Sequence, residues 1–136
     1  MTHIVVDASL WVARLVPQDV HYTRVLTWMN AQRAAGVTLI SPALLLAEVA
    51  GAVSRRTGDA QLAHQAVLQI TRLPGVSLVN MEQRLTRTAA QLAADWGLRG
   101  ADSFYVATAH LLAIPLITLD ADQQERARNA VKVEVL

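Results

Sequence analysis

Eleven acidic side chains are few for a chain of 136 residues, and four of them stand where an acid has little local reason to be. Asp7 follows the β-branched run Ile4-Val5-Val6, with no polar neighbour nearer than Ser9. Glu48 is the only charged residue between Ala43 and Val53. A helix that apolar is buried, so a mid-helix glutamate there is expected in the interior or lining a cleft. Asp102 is the sole acid of an apolar stretch that runs to Ala113, and Asp120 ends Leu116-Ile117-Thr118-Leu119, with Asp122 two residues on. Two carboxylates about 4 Å apart repel by roughly 4 kcal/mol at an effective dielectric of about 20, so a cluster of them needs protons, arginines or a divalent cation. Oxygen donors suit Mg²⁺ or Mn²⁺, and neither cysteine nor a histidine pattern points to zinc. All but one of these acids have a plainer explanation beside this one. Asp7 and Asp120 could cap the helices that follow them, Asp102 could complement a helix dipole, and Asp122 reads as a solvated first-turn acid. Glu48 has no such local explanation.

The elements that position these acids are short strands alternating with helices. Ile4 to Val6 reads as a buried strand ending at Asp7, and Ser9 as the N-cap of a short helix through Val16 stopped by Pro17. Asp19 is expected to cap a longer helix to about Ala35, closed by Gly36. Val37 to Ile40 is a second strand, with Pro42 in the first turn of a helix to about Arg56. Thr57-Gly58-Asp59 leads to a helix ending near Arg72, and Pro74-Gly75 is a turn before the strand Val76 to Val79. Glu82 to Trp96 reads as a helix closed by Gly97, and Ala101 to Ala113 as the next one. Leu116 to Leu119 is a strand ending at Asp120, and Val131 to Val135 a weak last strand. This alternation predicts an α/β fold, one domain over residues 1–136, with a parallel sheet of about four to five strands sandwiched between helices. Asp7 and Asp120 would then lie at the C-terminal ends of parallel strands, the edge where open α/β sheets place ligands.

Composition narrows the function. Hydrophobic residues make up 53% and charged residues 17%, so the chain can fold on an ordinary core and is not disordered. It has no cysteine, no apolar run long enough for a membrane helix and no secretory opening, which together fit a cytoplasmic protein without a membrane role. A net charge of +1 advertises no general affinity for nucleic acid, and the shortage of charge points to a covered surface, in an oligomer or against a partner.

The ordered set Val5-Val6-Asp7-Ala8-Ser9, Glu48, Gly100-Ala101-Asp102-Ser103 through Ala107, and Leu116-Ile117-Thr118-Leu119-Asp120 resembles the PIN domain. It is closest to the small VapC-like toxins of bacterial toxin–antitoxin pairs, and the resemblance runs over nearly the whole chain. It implies a metal-dependent endoribonuclease that cuts RNA phosphodiester bonds with a metal-activated water and leaves a 5′-phosphate. On that resemblance Asp7 and Asp102 are the principal ligands of Mg²⁺ or Mn²⁺, with Glu48 and Asp120 the remaining catalytic acids. Ser9 and Thr118 are supporting hydroxyls, and Asp122 could supplement Asp120. Asp120-Ala121-Asp122-Gln123-Gln124 lacks the aromatic residue that many members carry after this acid. The resemblance also implies a homodimer and a cognate antitoxin that covers the pocket. Trp11, Trp28 and Leu15 are candidates for such contacts, although core packing explains them too. RNA needs cations, for which Arg14 and Arg99 are the first candidates, with Arg55 and Arg56 behind them. Arg14, Arg55 and Arg56 equally suit helix C-termini.

Two other classes of acid-bearing α/β protein fit the chain less well. A receiver-like phosphoacceptor should carry adjacent acids after its first strand and a late-strand lysine, but the only lysine is Lys132. A dehalogenase-type phosphatase wants Asp-x-Asp where this chain has Asp7-Ala8-Ser9. The remaining alternative is a PIN-like module that binds RNA or a partner without cutting.

Overall fold

In the computed structural model, which describes residues 1–136, twelve elements follow one another from end to end. They are β1 (His3–Val6), α1 (Ala8–Leu15), α2 (Tyr22–Ala34), β2 (Thr38–Pro42), α3 (Leu45–Thr57), α4 (Ala60–Arg72), β3 (Val76–Val79), α5 (Gln83–Trp96), α6 (Gly100–Leu112), β4 (Leu116–Ile117), α7 (Ala121–Ala127) and β5 (Val133–Glu134). The strands form one parallel sheet in the order β3-β2-β1-β4-β5, as the alternation predicts. The chain winds outward from β1 to β3, then returns across to β4. Right-handed crossovers therefore place α1 to α4 on one face and α5 to α7 on the other. The reversal occurs between β1 and β4, and the C-terminal edge at such a point is where open α/β sheets place their ligands.

The core is a single cluster of 29 buried apolar residues. Ile4, Val5 and Val6 are fully buried, as a central parallel strand requires, and α6 adds Tyr105, Val106, Ala107 and Ala109. Trp11 is also fully buried: its indole N–H donates to Ser41 Oγ at 3.2 Å, and that hydroxyl donates to the Val6 carbonyl at 2.5 Å. It is therefore a core residue and not a contact surface. Trp28 packs half-buried against the same core, and Leu15 lines a cleft of about 600 Å³ between the end of α1, α3 and α4. No helix is long and apolar enough to cross a membrane.

Several boundaries differ from expectation, each for a local reason. Asp7, not Ser9, is the N-cap of α1, because its carboxylate accepts the Ser9 N–H at 3.1 Å. Asp19 does not cap α2. Its carboxylate closes a turn on the His21 N–H at 2.8 Å and pairs with Arg56 at 2.8 Å, so the helix waits until Tyr22. Pro42 ends β2 instead of opening α3, which begins at Leu45. Glu48 is consequently a first-turn residue of its helix and not a mid-helix one. The two late strands are shorter than their apolar runs, at two residues each.

Candidate functional site

Strand register brings the first two site residues together. Val5 pairs with Leu116 and Val6 with Ile117, and the Asp7 N–H continues the ladder to the Ile117 carbonyl at 3.0 Å. Asp7 and Thr118 therefore emerge side by side from the edge of the sheet. The Thr118 hydroxyl lies 3.0 Å from Asp7 Oδ2 and 3.0 Å from Gln123 Oε1. Its single proton is shared between the two acceptors, of which the carboxylate is the stronger. Thr118 Oγ1 in turn accepts the Asp120 N–H at 3.2 Å. Ser9 Oγ stands 3.3 Å from Thr118 Oγ1 and accepts the Leu119 N–H at 3.0 Å. Ser9 and Thr118 thus hold the strand-end loop and the Asp7 carboxylate in one network.

Gln123, which the sequence did not single out, completes that network. It is 1% exposed and sends its amide toward Asp7 Oδ1 at 3.4 Å. Its signal was the departure from an aromatic residue after Asp120: a polar side chain at that buried helix position needs partners, and here it has two. Asp7 itself is 4% exposed and has only neutral donors around it.

Glu48 reaches the site from the opposite layer. Tyr105, fully buried on α6, donates its hydroxyl to Glu48 Oε1 at 2.6 Å. Burial pushes the Glu48 carboxyl up from its ordinary range, Tyr105 pulls it down, and the charges of Asp7 and Asp102 push it up again. Burial and the neighbouring acids raise the Tyr105 hydroxyl far above the usual phenol range, so it stays protonated and remains a donor. Tyr105 was likewise missed, because an aromatic residue within an apolar helix reads as core.

Asp102 lies in the first turn of α6 and Asp120 is the N-cap of α7, accepting the Gln123 N–H at 3.0 Å. One side chain joins them. Arg99 donates Nε to Asp102 Oδ2 at 2.9 Å and Nη2 to Asp120 Oδ2 at 2.5 Å. Burial still raises the Asp102 carboxyl, with repulsion from Asp7 and Asp120 added, so an exposed guanidinium only partly compensates it. Asp120 is held below its ordinary range, chiefly by the Gln123 N–H and then by Arg99.

The remaining candidates lie outside this network. Asp122 is exposed and presents both carboxylate oxygens to Arg126 Nε at 3.0 Å. Arg14 is half-buried at the end of α1, near Arg33 and Tyr22, with its Nε lacking a hydrogen-bond partner. Arg56 is engaged by Asp19, and Arg55 is exposed in the last turn of α3. His3, His64 and His110 are exposed and His21 stands at the start of α2, so none joins the acids.

The donor set suits a hard divalent cation. It consists of carboxylates only, and Asp7 Oδ1 has just one long contact. No three acidic or histidine side chains close into a ready cage. Mg²⁺ does not need one, since it commonly takes one or two carboxylates and keeps its waters.

Comparison with known proteins agrees with the architecture. No curated protein matches the chain by sequence. Among solved structures, the chain resembles VapC20 of Mycobacterium tuberculosis, described as a toxin that cleaves the sarcin-ricin loop. The two share 19% identity over 90% of this chain and 93% of that one, with a TM-score of 0.73. DNA-bound VapBC from Salmonella typhimurium gives a TM-score of 0.74 at 13% identity, covering 99% and 98% of the two chains. FitAcB from Neisseria gonorrhoeae gives 0.69 at 22% identity, covering 96% and 95%. The family model described as PIN domain matches residues 4–129, so the chain belongs to the PIN domain family.

Proposed function

We propose that this protein is a metal-dependent endoribonuclease and the toxin of a toxin–antitoxin pair. The observation that carries the reading is the convergence of Asp7, Glu48, Asp102 and Asp120 from four separate segments on one edge of a PIN-type sheet. Support for the toxin assignment comes from its neighbours, among them an RNA-cleaving toxin and two complexes of the VapBC and FitAB type. By that analogy the partners are an RNA substrate and an antitoxin protein. A second copy of the chain is the expected companion, in keeping with its low share of charged residues.

Asp7 and Asp102 would hold Mg²⁺ or Mn²⁺, with Glu48 and Asp120 beside them. Such an ion supplies a nucleophilic water near neutral pH and neutralises charge developing on phosphate. The chain's own residues do the positioning. Thr118, Ser9 and Gln123 keep the Asp7 carboxylate in place, and Tyr105 fixes Glu48 through its hydroxyl. The buried position of Asp7 limits water around one side of the site.

The test is cleavage of total cellular RNA by purified protein freed of any antitoxin, with Mg²⁺, Mn²⁺ or EDTA. Wild type should yield discrete fragments with 5′-phosphate ends in either metal and none in EDTA, and Asp7→Asn should yield none. Metal should also raise the melting temperature of wild type, by the equivalent of about 2.7 kcal/mol at roughly a hundred times its dissociation constant. Intact RNA after incubation with folded wild type that metal has stabilised would replace this reading with that of a binding module.

A further inference from the structure

Arg99 is placed against the usual rule for charges on helices. It occupies the N-cap position of α6, where the helix dipole disfavours a cation, and its side chain makes no capping bond. Its position is explained instead by the two acids it spans. The side chain is 68% exposed, yet its guanidinium is directed inward as a fork, Nε on Asp102 and Nη2 on Asp120. Gly97 shapes the approach: it closes α5 with a φ of +66°, a left-handed conformation that favours glycine. The chain can then turn through Leu98 and present Arg99 at the start of α6.

We propose that Arg99 is the resident counter-ion of the acidic pocket, which a divalent cation displaces and which then grips the phosphate of the substrate. The proposal rests on the metal-dependent reading above. One cation shared by Asp102 and Asp120 meets, in the absence of metal, the requirement that clustered acids have positive charge nearby. A divalent ion drawn to the same carboxylates repels the guanidinium and competes for its acceptors. Arg99 carries five N–H donors and its two bonds to the acids use two of them, so the freed fork matches a phosphate with two parallel hydrogen bonds. Arg99 is thereby a binding residue for the reaction whose position reports whether metal is present. Lysine could supply the charge but not the fork.

The full chain is titrated with Mg²⁺, following the dissociation constant by calorimetry and the Arg99 Nε–H resonance by NMR. Wild type, Arg99→Gln, Arg99→Lys and Asp102→Asn are compared, with melting in EDTA as the check of folding. Arg99→Gln should bind Mg²⁺ about tenfold more tightly than wild type, with Arg99→Lys between them. The Nε–H signal should be protected from exchange in EDTA, be lost at saturating Mg²⁺, and return at a new position when inorganic phosphate is added. Equal Mg²⁺ affinity in wild type and Arg99→Gln, or a signal unmoved at saturation, overturns the counter-ion role while leaving the metal site standing. A signal that is lost in Mg²⁺ but does not return with phosphate overturns the phosphate grip. Failure of wild type to bind Mg²⁺, with Asp102→Asn behaving identically, overturns the metal reading and this proposal together.

Discussion

Tyr105→Phe isolates one interaction at the site. The ring stays in its buried place, and the change removes only the hydroxyl that donates to Glu48 Oε1 at 2.6 Å. A bond this short to an ionised carboxylate contributes roughly 1.5–3 kcal/mol, against about 1 kcal/mol for a neutral pair. A loss of about 2 kcal/mol is therefore expected when Glu48 is charged. For a chain of this length, unfolding entropy makes each kcal/mol worth about 3.5 °C, so the melting temperature should fall by about 7 °C. The pH dependence carries the sharper test. The Glu48 carboxyl is raised in the folded protein relative to its ordinary value of 4.5, so the folded state binds that proton more tightly than the unfolded chain. Its contribution to stability is thus greatest below that ordinary value and declines as pH rises through the folded value. Tyr105 opposes the upward displacement, so its removal should steepen the decline. Melting curves in EDTA at about pH 4 and about pH 8 should show the penalty of Tyr105→Phe roughly halved in acid, where Glu48 is neutral in both proteins and only a neutral bond is lost. A Glu48→Gln background should abolish that pH dependence. A penalty that is the same at both pH values would refute the reasoning, because the hydroxyl would then not be holding a charged carboxylate.

Asp102→Asn should melt at or above wild type in EDTA at neutral pH, because a half-buried and repelled charge is removed. Its advantage should vanish as pH falls toward 3.8, where the raised Asp102 carboxyl of wild type has already taken up its proton; a variant less stable at neutral pH would show that the Arg99 bond outweighs burial. Gln123→Leu strips Thr118 and Asp7 of a buried partner and should cost about 1–3 kcal/mol, read as a lower urea midpoint. Ala113 holds φ at 54° at the C-cap of α6, so Ala113→Gly should raise the urea midpoint by the equivalent of about 0.5–1 kcal/mol with an unchanged slope.

Periodicity and β-branched runs made the α/β alternation legible, because a buried parallel strand such as Ile4-Val5-Val6 leaves no other place for its side chains. The placement of Asp7 and Asp120 followed from the same logic, since strand ends of a parallel sheet share an edge. The helix starts were less legible. Asp19 and Pro42 each carry a standard start signal, yet a turn bond to His21 with an ion pair to Arg56 absorbs the first, and strand pairing of Pro42 with Val79 absorbs the second. Tyr105 and Gln123 could not be found from local pattern, because their roles depend on partners 57 and 116 residues away. The bridging by Arg99 was hidden for the same reason: its bond to Asp102 is local, but the one that defines its position spans 21 residues to Asp120.

The choice between helix caps and functional acids, posed by the sequence as alternatives, dissolves in the structure. Asp7 caps α1 and Asp120 caps α7, while Glu48 and Asp102 lie in the first turns of α3 and α6. In a parallel α/β fold, a helix that follows a strand begins at the C-terminal edge of the sheet, which places the starts of α1, α3 and α7 there. Helix α6 follows α5 instead, and its start is tied to α7 through Arg99. Each N-terminus favours an anion at its own first turn, by roughly 0.3–1 kcal/mol at exposed positions. A cluster of four carboxylates is thus assembled from four locally favourable placements, and each dipole offsets part of the repulsion that assembly creates. The offset is incomplete, because burial and mutual repulsion still raise Glu48 and Asp102. The guanidinium of Arg99 partly relieves that residual imbalance, and the divalent ion of the proposed function would relieve it further. Capping and first-turn placement are therefore the means by which this fold gathers the acids, and their unrelieved charge is what the proposed metal would answer.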